Sequence, residues 1–226
     1  MTRMLALLTG VAVLGTAAMA AAQAPASPIL STLEVQQIAA SDEPADHARL
    51  SRHFAALAER EDAEARRHSA MSKSYAGTAS RGLRTGMQAH CTRLGELATE
   101  SAATLRELAG YHAGLAKGVP ATAPAGAAAF EAGTGARTPS DAELNALAAK
   151  ATTPSDHAAL QEYFQNVATR ATADAEQHAA LGQAMRGRRS AAPAQHHERL
   201  AALARDAAAE ATTAAAMHRD LAGSAR

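Results

Sequence analysis

Apolar residues recur at steps of three, four and seven along four long stretches of the chain, at about residues 44–76, 84–117, 154–186 and 193–222. On an α-helix this spacing collects apolar side chains on one stripe, so each stretch predicts a long amphipathic helix. Shorter helices are predicted just before the first and the third stretch, at about 31–40 and 141–150. Capping side chains before Pro44 and Pro154 mark two of the helix starts.

The second half of the chain repeats the first. The residues that meet identical ones at an offset of 110 include His47, Leu50, Phe54, Arg60 and His68. Those that do so at an offset of 106 include His90, Arg93, Leu94, Leu97 and His112. Such agreement at residues other than alanine indicates a duplicated helical hairpin. We predict one hairpin over 31–117, a linker rich in Gly and Pro over 118–140, and a second hairpin over 141–222.

Each hairpin has a single apolar stripe, which it cannot bury by itself. Packing the two hairpins against each other covers both stripes. The predicted fold is therefore all-α: an antiparallel four-helix bundle made from two tandem helical-hairpin repeats, each with a short lead-in helix. The alternative is that each hairpin recruits a second chain, so the sequence also leaves dimerisation open.

The first residues of the chain have the features of an export signal. Arg3 precedes an apolar run, and small residues around Ala20 offer a cleavage site, so residues 1–22 are predicted to be a signal peptide. A membrane anchor is the alternative, although Gly10 and Gly15 interrupt the run. The mature protein is therefore expected in the periplasm or outside the cell, without a membrane span.

The charge balance narrows the range of partners. Lys and Arg together number 22, and so do Asp and Glu, which gives a net charge of zero. Nucleic acid is not expected as a partner, because phosphate binding needs a basic excess. The sequence has no HExxH motif, Gly-rich phosphate loop or nucleophile motif, so no enzymatic activity is expected.

Eight of the ten histidines stand at matching positions in the two repeats. Their spacings within a repeat, 21 and 22 residues, are close to three heptads, so they are expected to face the bundle core. If the loop ends of both hairpins lie level, the histidines form two layers. The loop-end layer would contain His68, His90, His178 and His196, and the open-end layer would contain His47, His112, His157 and His218.

Imidazole is a common metal ligand, and a bound ion would offset the cost of burying so many histidines. The loop-end layer also has sulfur, because Met71 and Met87 lie near it and the single cysteine, Cys91, aligns with His197. Sulfur together with imidazole favours copper, above all Cu(I), or zinc. The predicted metal ligands are His68, His90, Cys91, Met71, His178, His196 and His197 at the loop end, and His47, His112, His157 and His218 at the open end.

Two other functions fit the same pattern. Facing histidines of a helical bundle can bind haem b between them, although no CxxCH motif is present for covalent attachment. A bundle without a ligand could serve as a cell-envelope scaffold or interaction protein, with its histidines as ordinary polar residues near helix ends. His53 aligns with Tyr163 and is expected at the surface or its boundary.

Overall fold

The computed structural model describes residues 29–76, 81–117, 139–186 and 191–224. This part of the chain is all-helical: 90 % of it is helix, and it contains no strand. Its helices are α1 (Thr32–Ile38), α2 (Pro44–Ala76), α3 (Arg81–Leu115), α4 (Asp141–Lys150), α5 (Pro154–Met185) and α6 (Ala192–Ser224). The helices predicted from the apolar periodicity are confirmed. The predicted signal peptide and residues 118–138 of the predicted linker lie outside the described residues.

The short helices α1 and α4 begin with the same local motif. The Ser31 hydroxyl accepts a hydrogen bond from the Glu34 N–H at 3.3 Å, while the Glu34 carboxylate accepts from the Ser31 N–H at 2.9 Å. Ser140 and Glu143 form the same capping box, with distances of 3.3 and 2.8 Å. The lead-in helices therefore also correspond, at an offset of 109 residues.

The long helices associate in two antiparallel hairpins, α2 with α3 and α5 with α6. The helix α3 also packs against α6, which joins the hairpins, while α4 lies on α2 and α5, and α1 lies on α2. Within the described ranges, no helix combines the length and the apolar character needed to cross a lipid bilayer.

Two ion pairs define how the hairpins face each other. The Arg60 guanidinium contacts the Asp174 carboxylate at 2.9 Å, and the Arg170 guanidinium contacts the Glu64 carboxylate at 2.7 Å. The two arginines are matched residues of the repeats, and so are the two acids. Each arginine thus pairs with the matched acid of the other repeat, as in a symmetric dimer interface. This reciprocity requires α2 and α5 to run antiparallel, so the hairpins lie head to tail.

The apolar core has one cluster near each end of the molecule. One contains Val35 of α1 with Phe54 and Leu181, and the other contains Phe164 with Cys91. Phe54 and Leu181 come from the open end of the first hairpin and the loop end of the second. The other cluster takes its residues from the loop end of the first hairpin and the open end of the second. Each end of the core is therefore built from both hairpins.

We expect the crossing ion pairs to contribute measurably to stability. Glu64 is buried, and replacing it with Gln would leave Arg170 without its carboxylate partner. Glu64→Gln should lower the free energy of unfolding by about 2 kcal/mol in urea denaturation. Asp220→Asn removes an exposed ion pair with Arg219 and, as the control, should cost less than about 0.5 kcal/mol. Equal effects of the two substitutions would show that the crossing pairs do not hold the hairpins together.

Candidate functional site

Histidines meet in pairs inside the molecule, and all members of these pairs are buried except His157, which is partly buried. Three pairs bring their Nδ1 atoms within hydrogen-bonding distance, and each pair joins the two long helices of one hairpin. They are His47 with His112 at 3.1 Å, His157 with His218 at 3.2 Å, and His178 with His197 at 3.1 Å. The ring centroids lie 5.2 to 5.4 Å apart, with interplanar angles of 30 to 31°.

The pairs stand at matching positions in the two halves of the sequence, with one replacement. The first two pairs occupy matched positions near the open ends of the hairpins. The third pair, His178–His197, lies near the loop end of the second hairpin, and its counterpart in the first hairpin is His68 with Cys91. At that position the first repeat therefore has a thiol in place of an imidazole.

A phenylalanine connects the histidines at each end of the core. Phe54 stacks on His112 and meets His197 edge-on, with both centroid distances 5.6 Å. Phe164 stacks on His218 at 5.7 Å and on His68 at 6.4 Å. The Phe54 cluster is defined as His47, Phe54, His112, His178 and His197. The Phe164 cluster is defined as His68, Tyr75, His157, Phe164 and His218.

The predicted grouping of the histidines into two level layers is wrong. It placed His68 beside His178, but His68 lies against Phe164, while His178 pairs with His197 in the Phe54 cluster. The head-to-tail packing is the cause, because it sets the loop end of each hairpin level with the open end of the other. The four histidines predicted for the open-end layer are accordingly divided between the two ends.

The expected core positions of His90 and His196 are also wrong. Both are half-buried at the seam between α3 and α6, where each Nδ1 faces a glutamate on the opposite helix. Successive residues of a helix point about 100° apart. The residues that follow them, Cys91 and His197, are the ones that face the core.

His53, expected at the surface or its boundary, lies in the core. Its ring is almost fully buried, and Nδ1 accepts a hydrogen bond from the Leu30 N–H at 3.0 Å. This contact fixes the segment before α1 beside the Phe54 cluster. The sequence did contain a signal, since His53 directly precedes Phe54 on a matched helix and aligns with Tyr163, an aromatic residue that is also buried.

Burial keeps the core histidines neutral. Loss of hydration lowers the pKa to about 4 for His53, His68, His112, His178 and His218, and to about 2 for His197. In the pairs, the neighbouring imidazole lowers the pKa further, because two charged rings would repel each other. At neutral pH, one Nδ1–H of each pair therefore donates to the lone pair of the other ring.

The pairs differ in the hydrogen-bond partners of Nε2, the ring nitrogen that does not face the other histidine. In the Phe164 cluster, the Tyr75 hydroxyl lies 3.1 Å from His218 Nε2, and a hydroxyl satisfies either tautomer because it can donate or accept. In the Phe54 cluster, Nε2 of His112 and Nε2 of His197 are buried without a hydrogen-bond partner among the described residues. A hydrogen on either of these atoms would be an unpaired buried donor, at a cost of about 1–3 kcal/mol.

This difference decides which pair is best suited to a metal ion. Two nitrogens bound to one tetrahedral ion at about 2.0–2.1 Å lie about 3.3 Å apart, close to the 3.1 to 3.2 Å of the pairs. An ion between two Nδ1 atoms requires both rings to carry their hydrogen on Nε2. The spacing suits all three pairs. The required tautomer favours His157–His218, because Tyr75 can accept the Nε2 hydrogen of His218.

Sulfur atoms line the same end of the core. Met71, Met87 and Cys91 are fully buried in the core cluster that contains Phe164. Burial raises the pKa of the Cys91 thiol to about 12, so the thiol stays protonated at neutral pH unless a metal ion displaces its proton. The inward position expected for these three residues agrees with the structure.

The donors come in twos rather than in larger groups. Within the described ranges, no three His, Cys, Asp or Glu side chains converge closely enough to hold a metal ion together. A permanent site with four protein ligands, of the kind that structural zinc uses, is therefore not preformed in this part of the chain.

No protein-family model matches this sequence, and no curated protein or solved structure shows significant similarity to it. The function has to be argued from the chemistry of the paired histidines themselves.

We expect the metal-free protein to lose stability steeply between pH 6.5 and 4. An unfolded histidine takes up a proton below about pH 6.5, whereas the buried ones stay neutral until about pH 4. In this window the unfolded state binds more protons, so each such histidine lowers the free energy of unfolding by about 1.4 kcal/mol per pH unit as the pH falls. Urea denaturation at successively lower pH measures the slope.

Two variants test the origin of this slope. His197→Asn removes one buried titrating ring and should reduce the slope by about 1.4 kcal/mol per pH unit. Phe54→Leu loosens the same cluster without removing a titrating group, so it should lower stability by the same amount at every pH. An unchanged slope in His197→Asn would contradict a neutral His197 in the folded protein.

Proposed function

We propose that this protein is an exported helical-bundle protein that binds a transition metal ion through core histidines, with copper favoured and zinc as the second candidate. The observation that carries the proposal is the pair His157–His218, with its Nδ1 atoms 3.2 Å apart and Tyr75 3.1 Å from Nε2 of His218. Two imidazole lone pairs can hold an ion there while the hydroxyl orients one of the rings. The proposed role is binding, without catalysis.

Copper is favoured because of the number and kind of donors. Zinc in proteins is usually held by four ligands, and the donors here come in twos. A three-coordinate Cu(I) ion would need one donor besides the two imidazoles, and Cu(I) prefers sulfur beside imidazole. Met71, Met87 and Cys91 share a core cluster with Phe164, which stacks on His218, so they are the sulfur candidates for a third donor.

We also propose that the chain is a duplicated hairpin folded as one antiparallel four-helix bundle. Reciprocal ion pairs, matched histidine pairs and matched capping boxes all support a duplication with internal two-fold symmetry. The apolar run after Arg3 supports removal of residues 1–22 as a signal peptide. The mature protein would then bind its ion in the periplasm or outside the cell.

Haem binding and a ligand-free scaffold are the alternative functions. A haem iron takes its axial imidazoles from opposite faces of the porphyrin, whereas the paired rings here contact each other through Nδ1. Haem would therefore require the pairs to separate. A scaffold would use the pairs only as hydrogen bonds. A Soret band in the purified protein would favour haem, and the absence of both haem and metal would favour the scaffold.

We expect Cu(I) affinity to depend on the histidine pair of the Phe164 cluster. His157→Ala removes one of the two imidazole donors and should weaken Cu(I) binding by roughly ten-fold or more. The matched control, His47→Ala, removes the corresponding imidazole at the other end and should leave this affinity unchanged. Competition with a colorimetric Cu(I) chelator measures both. Equal weakening in the two variants would exclude His157–His218 as the preferred pair.

Cys91 provides a separate test of the sulfur contribution. Cys91→Ala should weaken Cu(I) binding by roughly ten-fold or more and abolish thiolate-to-copper absorption, because the loss of sulfur removes the preference for a soft ion. Helix content, measured by circular dichroism, should not change. If the affinity equals that of the unmodified protein, sulfur is not part of the site, and zinc at histidine or bis-histidine haem becomes the better hypothesis.

A further inference from the structure

Two histidines at the seam between α3 and α6 have the same surroundings. His90 on α3 and His196 on α6 are matched residues, with 19 % and 24 % of their side chains exposed. Each directly precedes a buried donor, Cys91 after His90 and His197 after His196. A half-exposed imidazole therefore stands one residue from a core donor at each end of the molecule.

Each of these histidines faces a glutamate across the seam. His90 Nδ1 lies 2.5 Å from Glu210 Oε1, and His196 Nδ1 lies 3.4 Å from Glu107 Oε2. The glutamates are not matched residues, because each aligns with a threonine in the other repeat. The two repeats thus reach the same pairing from different helix positions. Duplication explains the histidines but does not by itself explain their carboxylate partners.

The pairing with a carboxylate determines the state of the ring. A carboxylate only accepts hydrogen bonds, so Nδ1 of His90 carries the hydrogen, and Nε2 is the nitrogen that has the lone pair whenever the ring is neutral. Metal-ligating histidines are commonly held in this way by a carboxylate on the other ring nitrogen. Since the side chain of His90 is only partly buried, an ion from solvent can reach the ring.

We propose that His90, oriented by Glu210, is the entry ligand through which Cu(I) reaches the core donors at the Phe164 end. The inference rests on the metal-binding function proposed above. A single imidazole is a weak site, and no set of three His, Cys, Asp or Glu donors converges there in the described part of the chain. The ion is therefore passed inward rather than retained.

The transfer from His90 to Cys91 is a ligand exchange. The bond from copper to His90 Nε2 breaks, and a bond from copper to the Cys91 sulfur forms. The S–H bond of the thiol breaks at the same time, and its proton leaves to solvent. Copper stays in the +1 state throughout, so the step needs no oxidant or reductant.

A purely structural role for the His90–Glu210 contact makes a different prediction. As a hydrogen bond across the seam it would hold α3 against α6, and its loss would lower stability without changing the rate at which Cu(I) enters. The rate of loading, the equilibrium affinity and the stability of each variant therefore have to be measured separately.

The test mixes the full chain with Cu(I) held by a weak chelator and follows thiolate-to-copper absorption in a stopped-flow instrument. His90→Ala should slow this signal by roughly ten-fold, and Glu210→Gln by a smaller factor, with the equilibrium affinity unchanged. His196→Ala, at the matched position of the other end, should load at the rate of the unmodified protein. Glu96→Gln, which removes a carboxylate that faces Arg93 instead of a histidine, should also load at that rate. Thermal unfolding verifies that each variant is folded.

Four outcomes would overturn the entry role. An unchanged rate in His90→Ala, or a parallel loss of rate and affinity, would do so while leaving the metal-binding function intact. Copper bound without any thiolate signal would exclude transfer to Cys91 in particular. Absence of Cu(I) binding by the unmodified protein would overturn both this inference and the proposed function.

Discussion

The layout of the molecule depends on the head-to-tail packing of its hairpins, and opposite charges on α2 and α5 are paired in a way that only this packing allows. Arg60 meets Asp174 and Arg170 meets Glu64, so the hairpins lie head to tail. In a parallel arrangement of a duplicated chain, the two arginines would lie level with each other, and so would the two acids. Repulsion between like charges in a partly buried position would oppose that packing. The grouping of the histidines into two clusters follows from this arrangement, because it decides which helix ends share a core.

The helices could be predicted because their signals are local. Apolar periodicity gives their extent, and capping residues such as Thr153 and Asp156 give their starts. The direction of a neighbouring hairpin is not local, since an apolar stripe has the same period whichever way its partner runs. The grouping of the histidines into level layers failed for that reason. The information was nevertheless present in Arg60 and Glu64, whose duplicated pattern places opposite charges together when the helices cross antiparallel.

The stripe also identified most of the histidines that face the core. Which of them share an end of the core could not be inferred, because that depends on how the two hairpins cross. Duplication alone would make the two ends alike. At the Phe164 end the replacements are Cys91 for His197, Met71 for Leu181 and Tyr75 for Met185. They introduce a thiol, a thioether and a hydroxyl at buried positions, where apolar side chains of similar size would pack as well. Packing therefore does not account for the difference between the ends.

Neutral imidazoles in a core satisfy two demands that conflict. For stability, each ring needs a tautomer whose N–H group has an acceptor. In the Phe54 cluster, His112 and His197 meet this demand only if Nε2 carries no hydrogen. For binding, the rings must exchange that tautomer for another when an ion replaces the shared hydrogen. Tyr75 allows this exchange at His218, because its hydroxyl accepts from one tautomer and donates to the other. An ion that binds only the folded state there would stabilise it, by an amount that grows with the logarithm of the ion concentration relative to Kd. The Phe54 cluster is accordingly suited to holding the hairpins together in a single protonation state, and the Phe164 cluster to changing state with a ligand.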